Sequence, residues 1–280
     1  MGDERRIDKE KICRRNHVRL FGQGSQPMIF AHGYGCDQHM WRLITPAFAE
    51  TYRVILFDLV GNGASDLTAY DPVKYGTLQG YVQDLLEICA ALALHDTIFV
   101  GHSVSAMIGI LAAIRAPEYF SSLVLVGPSP CYINKGDYVG GFDRSEIDGL
   151  LDFLDSNYLG WATALAPTIM GNGDRPALAE ELSNSFCRTD PAIAKHFGRV
   201  TFLSDNRADL PLLRKPTLTL QCQEDVIAPV VVGEYMHRHL ADDRLVLIDT
   251  SGHCPHLSAP QATIEAIQDF LVAQKARISL

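Results

Sequence analysis

The chain has 280 residues, of which 47% are hydrophobic and 20% are charged, and its net charge is −9 at pH 7. This is enough apolar sequence for one large core, or for a core with an inserted subdomain. No basic run stands out, which argues against a nucleic-acid partner and against an anionic membrane surface.

The N-terminal region and the cysteines bear on where the protein works. Residues 1–6 are charged and lack the apolar stretch of a signal peptide. No apolar run reaches the roughly 18 residues that a membrane span needs. The seven cysteines form no C-x-x-C pair and are expected to be reduced thiols. We therefore expect a cytoplasmic protein.

Strand and helix patterns alternate along most of the chain. The expected strands are 12–21, Pro27–Ala31, Arg53–Asp58, Thr97–Gly101, Ser122–Gly127, Thr217–Cys222 and Leu245–Asp249. The expected helices are a segment with Met40, Trp41, Ile44 and Phe48, then Tyr81–Leu94, the Ala- and Ile-rich stretch up to Arg115, Val230–Leu240 and Gln261–Gln274. This alternation predicts an α/β fold with a mostly parallel central sheet flanked by helices.

The alternation is interrupted between residues 131 and 213, where helical patterns replace strands. We expect residues 1–130 and 214–280 to form the core in two parts, and residues 131–213 to form a helical lid over the site. The Asp190-Pro191 pair marks one helix start within the insertion. The alternative is a set of outer-layer helices that gate nothing.

A candidate nucleophile follows the strand at 97–101. The segment Gly101-His102-Ser103-Val104-Ser105 places a serine at a sharp strand–turn–helix junction, as in the nucleophile elbow of α/β hydrolases. Ser105 stands where the pattern G-x-S-x-G has its second glycine, and the crowding it adds is expected to affect the elbow geometry and the rate. The alternative is an ordinary strand–helix junction with a serine N-cap.

The acid and the base of a catalytic triad are expected after the nucleophile, in that order. Asp225 and His253 each follow the end of a strand, at the edge where parallel sheets place their sites. With Ser103, these three groups at three strand ends predict a Ser–Asp–His triad. Glu224 is the alternative acid, although Asp225 directly precedes the turn. His256 is the alternative base, although the glycine before His253 favours the latter.

The oxyanion hole is expected to combine the N–H of Val104 with an N–H of the glycine-rich loop His32–Gly35. Tyr34 is the expected donor in that loop, and His32 is expected to be a structural hydrogen-bonding residue. The alternative for the loop is a tight turn that needs its glycines for geometry alone.

No cofactor and no metal are expected. The segment Gly61–Gly63 lacks the rest of a dinucleotide-binding fingerprint. Two observations argue against a metal site formed by His253, Cys254 and His256. His253 is expected to act in the triad, and Pro255 lies within the segment.

Further segments resemble one group within this fold. They are Arg53–Asp58, Gly127–Tyr132, Asn157–Thr163 and Tyr235–His239. With the triad, they make the chain similar to the RsbQ group of α/β hydrolases, which are bacterial relatives of the plant karrikin and strigolactone receptors. The similarity covers nearly all of residues 12–273. The resemblance implies a four-helix lid over a deep apolar pocket and slow hydrolysis of a small hydrophobic ester or lactone. It also implies a positive regulator of a stress sigma-factor pathway that acts with a PAS-domain serine phosphatase.

Aromatic residues of the insertion and of the first loop are the candidates for the substrate pocket. We expect a pocket lined by Tyr34, Trp161 and Phe202, with Tyr132, Phe142 and Phe186 as further candidates. The alternative for any one of them is packing between lid helices. Two functions stay open: a hydrolase that senses a ligand for signalling, and a metabolic carboxylesterase or lactonase. The residues alone predict a serine hydrolase, and the resemblance favours the sensor.

Overall fold

The computed structural model describes residues 8–278, and its centre is a seven-stranded sheet with the order β1-β3-β2-β4-β5-β6-β7. The strands are β1 (Arg19–Phe21), β2 (Pro27–Ala31), β3 (Arg53–Phe57), β4 (Thr97–His102), β5 (Phe120–Val126), β6 (Thr217–Glu224) and β7 (Asp243–Ser251). β1 runs antiparallel to β3, and all other neighbouring strands are parallel. The carboxyl ends of the parallel strands therefore meet at one edge of the sheet.

The central strands are buried on both faces. All residues of β2 and β4 are buried, as expected for apolar runs that helices cover on both sides. The main helices outside the insertion are α2 (Leu78–Ala91), α3 (Val104–Arg115), α8 (Val230–His239) and α10 (Pro260–Ile278), with the short α9 (Pro255–Ser258) before the last. The expected helix around Met40 and Phe48 is wrong, because that segment forms two short 3-10 turns, Gln38–Trp41 and Thr45–Ala47. In the part of the chain that the structure describes, no helix is long and apolar enough to cross a bilayer.

The start of the described chain differs from the prediction. The expected strand over residues 12–21 is wrong for most of that range, because β1 covers only its end and Lys9–Arg15 forms helix α1. Asp8 caps this helix by accepting a hydrogen bond from a main-chain N–H of its first turn at 3.1 Å. Arg15 pairs with the buried carboxylate of Asp84 in α2 at 3.1 Å. The cap and this ion pair stabilise a helix in a segment whose short alternating pattern had suggested a strand.

Four α-helices lie between β5 and β6: α4 (Arg144–Ser156), α5 (Tyr158–Met170), α6 (Pro176–Arg188) and α7 (Pro191–Phe202). The predicted start of α7 is confirmed, because the Asp190 side chain accepts hydrogen bonds from the N–H groups of Ala192 and Ile193. The predicted fold class, a mostly parallel sheet with an inserted helical lid, is confirmed. Its division at residues 131 and 213 into separate domains stays a prediction.

Candidate active site

Ser103 lies at a strained turn between β4 and α3. Its φ is 55° and its ψ is −123°, a conformation that costs free energy for any residue other than glycine. Gly101 makes the turn possible, because a Cβ at that position would lie 2.7 Å from the carbonyl oxygen of Ser105. The local geometry is therefore that of a nucleophile elbow, in which the turn presents the serine at the carboxyl edge of the sheet.

The side chains of Ser103, His253 and Asp225 form a continuous chain of hydrogen bonds. The Ser103 hydroxyl donates to His253 Nε2 at 2.8 Å, and His253 Nδ1–H donates to Asp225 Oδ2 at 2.7 Å. All three residues are buried. In this arrangement the imidazole can accept the serine proton, while the carboxylate orients the ring and stabilises its charged form. The structure thus brings together the three residues predicted to be the triad.

The carboxylate of Asp225 is held in place by its own turn. Its Oδ1 accepts hydrogen bonds from the N–H groups of Ile227 at 2.8 Å and Ala228 at 3.0 Å. Glu224, the alternative acid, ends β6 and is exposed. The burial and the fixed orientation favour Asp225 as the partner of the histidine.

His253 is held by main-chain contacts on both sides. Its N–H donates to the carbonyl of Ile169 in α5 at 2.8 Å, and its carbonyl accepts from His102 Nε2 at 2.9 Å. His256, the alternative base, instead packs its ring 4.6 Å from the ring of Trp41. Burial, with a smaller effect of His253, lowers the pKa of His256 to about 3. His256 is therefore neutral at physiological pH and packs in the core beside the triad.

Ser105 makes a contact that a glycine could not make. Its hydroxyl donates to the carbonyl oxygen of His32 at 2.5 Å, so the elbow helix is tied to the loop 32–35. The His32 ring has the structural role predicted for it. Its Nδ1 donates to the Gly33 carbonyl at 2.8 Å, and its Nε2 accepts from the Leu59 N–H at 3.0 Å.

The two predicted oxyanion donors lie near Ser103. Val104 is the first residue of α3, where a main-chain N–H has no acceptor within its own helix. Tyr34 lines the same cavity as Ser103, and its hydroxyl donates to the Ala194 carbonyl in α7 at 2.9 Å. The Tyr34 ring therefore anchors the first loop to the lid. Donation by the main-chain N–H groups of Tyr34 and Val104 to an oxyanion stays a prediction.

A cavity of about 40 Å³ lies between Ser103 and the lid. Of the predicted aromatic residues, those that line it are Tyr34, Tyr132, Trp161, Phe186 and Phe202. The other lining residues are Cys36, His102, Ile169, Leu182, Thr201, Ile227, His253 and Cys254. Within residues 8–278, no Asp, Glu, Lys or Arg side chain contributes to this wall. The volume suits only one or two water molecules, so a substrate fits only if the side chains or lid helices around the cavity move.

Phe142 is not among the residues that line this cavity, which corrects its predicted place in the pocket. Its N–H donates to the Tyr132 carbonyl at 3.2 Å, and its carbonyl accepts from the Asn134 N–H at 2.7 Å. Its half-buried side chain packs against the hydrophobic core. Because the segments around Tyr132 and Phe142 pair in this way, the Tyr132 side chain lines the cavity and the Phe142 side chain lies outside it.

Several lining residues were not predicted from the sequence. Ile169, Leu182, Thr201 and Ile227 belong to ordinary apolar or mixed patterns, and such patterns do not distinguish a cavity wall from a helix–helix contact. For Cys254, the only available signal is its position directly after the predicted base.

The lid contacts the core beside the cavity. Arg42 donates to both carboxylate oxygens of Glu181 in α6, at 2.6 and 2.7 Å. The Ser185 hydroxyl donates to the Gly35 carbonyl at 2.9 Å. Phe186 packs directly on the same loop, because a Cβ at Gly35 would lie 2.2 Å from its ring. Helix α6 therefore supports the loop that carries the predicted oxyanion donor.

Two thiols also line the cavity, those of Cys36 and Cys254. Burial raises the pKa of each thiol, and nearby carboxylate and thiol groups raise it further. Both thiols are therefore protonated at neutral pH and are poor nucleophiles. The Ser103 hydroxyl, in contrast, is hydrogen-bonded to His253 Nε2 at 2.8 Å, so Ser103 remains the predicted nucleophile of this cavity. In the described part of the chain, no group of three His, Cys, Asp or Glu residues is arranged to hold a metal ion.

The chain is similar to known proteins in both sequence and structure. A family model described as the alpha/beta hydrolase family matches residues 28–266. The chain is 42% identical to Strigolactone esterase D14 of Arabidopsis thaliana, over 91% of this chain and 95% of that protein. It is 38% identical to Karrikin insensitive 2 receptor CA of Petunia hybrida, over 90% of this chain and 94% of that protein. The structure of olei00960, a hydrolase from Oleispira antarctica, is similar with a TM-score of 0.91 and 40% identity, covering 94% of this chain and 96% of that one.

These similarities test the predicted family relation and the predicted enzyme class. The relation to the plant karrikin and strigolactone receptors is confirmed, whereas membership of the RsbQ group stays a prediction. The predicted enzyme class, a hydrolase of the carboxylesterase type, is also confirmed. The family model covers most of the chain, and several relatives exceed 30% identity over nine-tenths of it. The chain therefore belongs to the alpha/beta hydrolase family.

Proposed function

We propose that this chain is a serine hydrolase that cleaves a small, uncharged, mostly apolar carboxylic ester or lactone. The observation that carries the proposal is the position of His253. Its ring joins the Ser103 hydroxyl at 2.8 Å to the Asp225 carboxylate at 2.7 Å, within a cavity closed by a lid. The aromatic wall and its lack of Asp, Glu, Lys and Arg among residues 8–278 favour an uncharged substrate.

The proposed reaction follows from these contacts. Ser103 Oγ attacks the carbonyl carbon while its proton passes to His253 Nε2. The main-chain N–H groups of Tyr34 and Val104 stabilise the negative oxygen that forms. When the bond to the leaving oxygen breaks, His253 gives it the proton, and an acyl-Ser103 remains. A water molecule, with His253 again as base, then releases the acid.

A serine-directed fluorophosphonate tests this proposal. Peptide mass spectrometry of the labelled wild type should place the adduct on Ser103. The His253→Ala variant should label much more slowly, because the hydroxyl has lost its base. Labelling of Ser105 or Ser129 in place of Ser103 would refute the assignment.

We further propose that hydrolysis serves ligand sensing, as a positive regulator in stress sigma-factor signalling. The name of one relative, a karrikin insensitive 2 receptor, supports the sensing role, and the resemblance to the RsbQ group supports the stress sigma-factor pathway. The small cavity supports sensing as well, because ligand entry that displaces lid helices would change the surface offered to a partner. The partner we propose is a PAS-domain serine phosphatase. The alternative is a metabolic carboxylesterase or lactonase without a signalling role.

The turnover number separates the two alternatives. A sensor is expected to turn over well below the median enzyme rate of about 10 s⁻¹, and its binding to the purified phosphatase should depend on an ester or lactone ligand. Turnover at or above that rate, with no ligand-dependent binding to the phosphatase, would favour the metabolic enzyme. A phosphatase gene next to the gene of this chain would add support for the sensor.

A further inference from the structure

Tyr132 brings a second hydroxyl group to the nucleophile. Its oxygen lies 3.5 Å from Ser103 Oγ, and the residue is 1% exposed and lines the cavity. This separation is longer than the usual hydrogen bond between two hydroxyls, which is about 2.5–3.0 Å. The phenol therefore points at Ser103 without being fully engaged by it.

The segment that carries Tyr132 is fixed on both sides. Two residues before it, the Pro130 carbonyl accepts a hydrogen bond from the Asn206 N–H at 2.7 Å. The Tyr132 carbonyl accepts from the Phe142 N–H at 3.2 Å. The Tyr132 ring packs edge-on against the ring of Phe202, with 5.3 Å between their centroids. The hydroxyl is thus held at one wall of the cavity.

The hydrogen bonds at Ser103 show that the Tyr132 phenol can act only as a donor towards it. Ser103 donates its proton to His253, so its oxygen can only accept from Tyr132. Burial raises the pKa of Tyr132 to about 12, so the phenol is a neutral donor at physiological pH. A buried hydroxyl without a good partner costs free energy. A substrate oxygen beside Ser103 would supply that partner.

Two substrate oxygens come close to Ser103 Oγ during the reaction. In the proposed mechanism, the carbonyl oxygen turns towards the N–H groups of Val104 and Tyr34. The oxygen left for Tyr132 is the one that leaves with the alcohol. We propose that Tyr132 is a further catalytic residue, whose O–H donates a hydrogen bond to the leaving oxygen of the ester. This inference rests on the serine hydrolysis proposed above.

The step balances without any additional reactant. The bond between Ser103 Oγ and the acyl carbon forms, and the bond between that carbon and the leaving oxygen breaks. The proton that His253 took from Ser103 goes to the leaving oxygen, while Tyr132 keeps its own proton. The hydrogen bond becomes stronger as negative charge grows on the leaving oxygen. Its contribution therefore increases with the basicity of the leaving group.

This dependence on the leaving group is the test. We would measure kcat/KM for p-nitrophenyl, phenyl and ethyl acetate with the wild type, Tyr132→Phe and Tyr138→Phe. Tyr138 is the matched control, because its hydroxyl donates to the Cys131 carbonyl at 2.6 Å and holds the same segment without lining the cavity. Tyr132→Phe should lose about tenfold on ethyl acetate but only about twofold on p-nitrophenyl acetate, the effect of one hydrogen bond. Tyr138→Phe should change all three rates by the same factor.

Two results would overturn the proposal. One is an equal loss on all three esters in Tyr132→Phe. The other is an equally large dependence on the leaving group in Tyr138→Phe, since that would trace the effect to a loosened segment. A wild type that hydrolyses none of the esters would refute the serine hydrolase itself, and the role of Tyr132 with it. The wild-type rates thus distinguish the two failures.

Discussion

The Ser105 hydroxyl donates a hydrogen bond to the main-chain carbonyl of His32 across 2.5 Å. This contact joins the helix that follows the nucleophile to the loop that carries the predicted oxyanion donor, Tyr34. The elbow pattern has glycine at this position, so the serine was expected to disturb the turn. In the structure it ties together two parts of the site.

Removal of this hydroxyl should therefore lower activity. We expect Ser105→Ala and Ser105→Gly each to reduce kcat/KM for p-nitrophenyl acetate by about tenfold, because both lose a hydrogen bond that positions the loop. The glycine variant is informative because it restores the usual elbow pattern. If Ser105→Gly were faster than the wild type, the serine would be a source of crowding rather than a tether.

The choice of acid and base can be tested with two pairs of variants. We expect Asp225→Asn and His253→Ala to cripple turnover, because they remove the group that orients the imidazole and the base itself. Glu224→Gln and His256→Ala should retain most of the activity, since neither side chain contacts Ser103. Steady-state kinetics of the four variants decide the ranking. Larger losses in the second pair would reverse the assignment.

Trp161 should control the size of the acyl group. It is fully buried, lines the cavity and packs edge-on against Tyr34, with 5.9 Å between the ring centroids. We expect Trp161→Ala to enlarge the cavity and to raise kcat/KM for butyryl and octanoyl esters relative to acetyl esters. Phe142→Ala is the matched control, because that aromatic side chain lies outside the cavity. An unchanged chain-length profile in Trp161→Ala would remove Trp161 from the pocket.

His256 should make folding stability depend on pH. Its pKa is about 3 in the folded protein, below the value of about 6.5 for an unfolded histidine. Between these values the unfolded chain binds a proton that the folded protein does not. The free energy of unfolding therefore falls as the pH drops through this window, by up to about 1.4 kcal/mol per pH unit for this residue.

Urea unfolding of the wild type and His256→Gln at several pH values checks this dependence. The variant should lose stability less steeply below about pH 6.5. Some acid sensitivity should persist, because burial also lowers the pKa of His102. Equal slopes for the two proteins would contradict the assignment.

The hydrogen-bonded arrangement of Ser103, His253 and Asp225 was predictable because its signals are local in the sequence. Ser103 lies at a strand–helix junction, and Asp225 and His253 each follow the end of a strand. Parallel strands bring such positions to one edge of a sheet, so chain order was enough to bring the three residues together. The central sheet followed in the same way from short apolar runs alternating with helical patterns.

Features that depend on packing between distant segments were not predictable. The helix Lys9–Arg15 depends on a cap and on an ion pair from Arg15 to Asp84. The pattern of residues 12–21 does not indicate a contact with a residue so far along the chain. Phe142 and Tyr132 are both aromatic residues near the start of the insertion. Only the pairing of their segments decides which of them reaches the cavity.

The rate of p-nitrophenyl acetate hydrolysis by Ser103→Ala is the sharpest test of Ser103 as the nucleophile. The wild type and the variant would be compared at matched concentrations, with thermal unfolding as the check that both are folded. We expect the variant to melt like the wild type while its rate falls by about a thousandfold or more. A folded Ser103→Ala protein that hydrolyses the ester at the wild-type rate would contradict the assignment of Ser103 as the nucleophile.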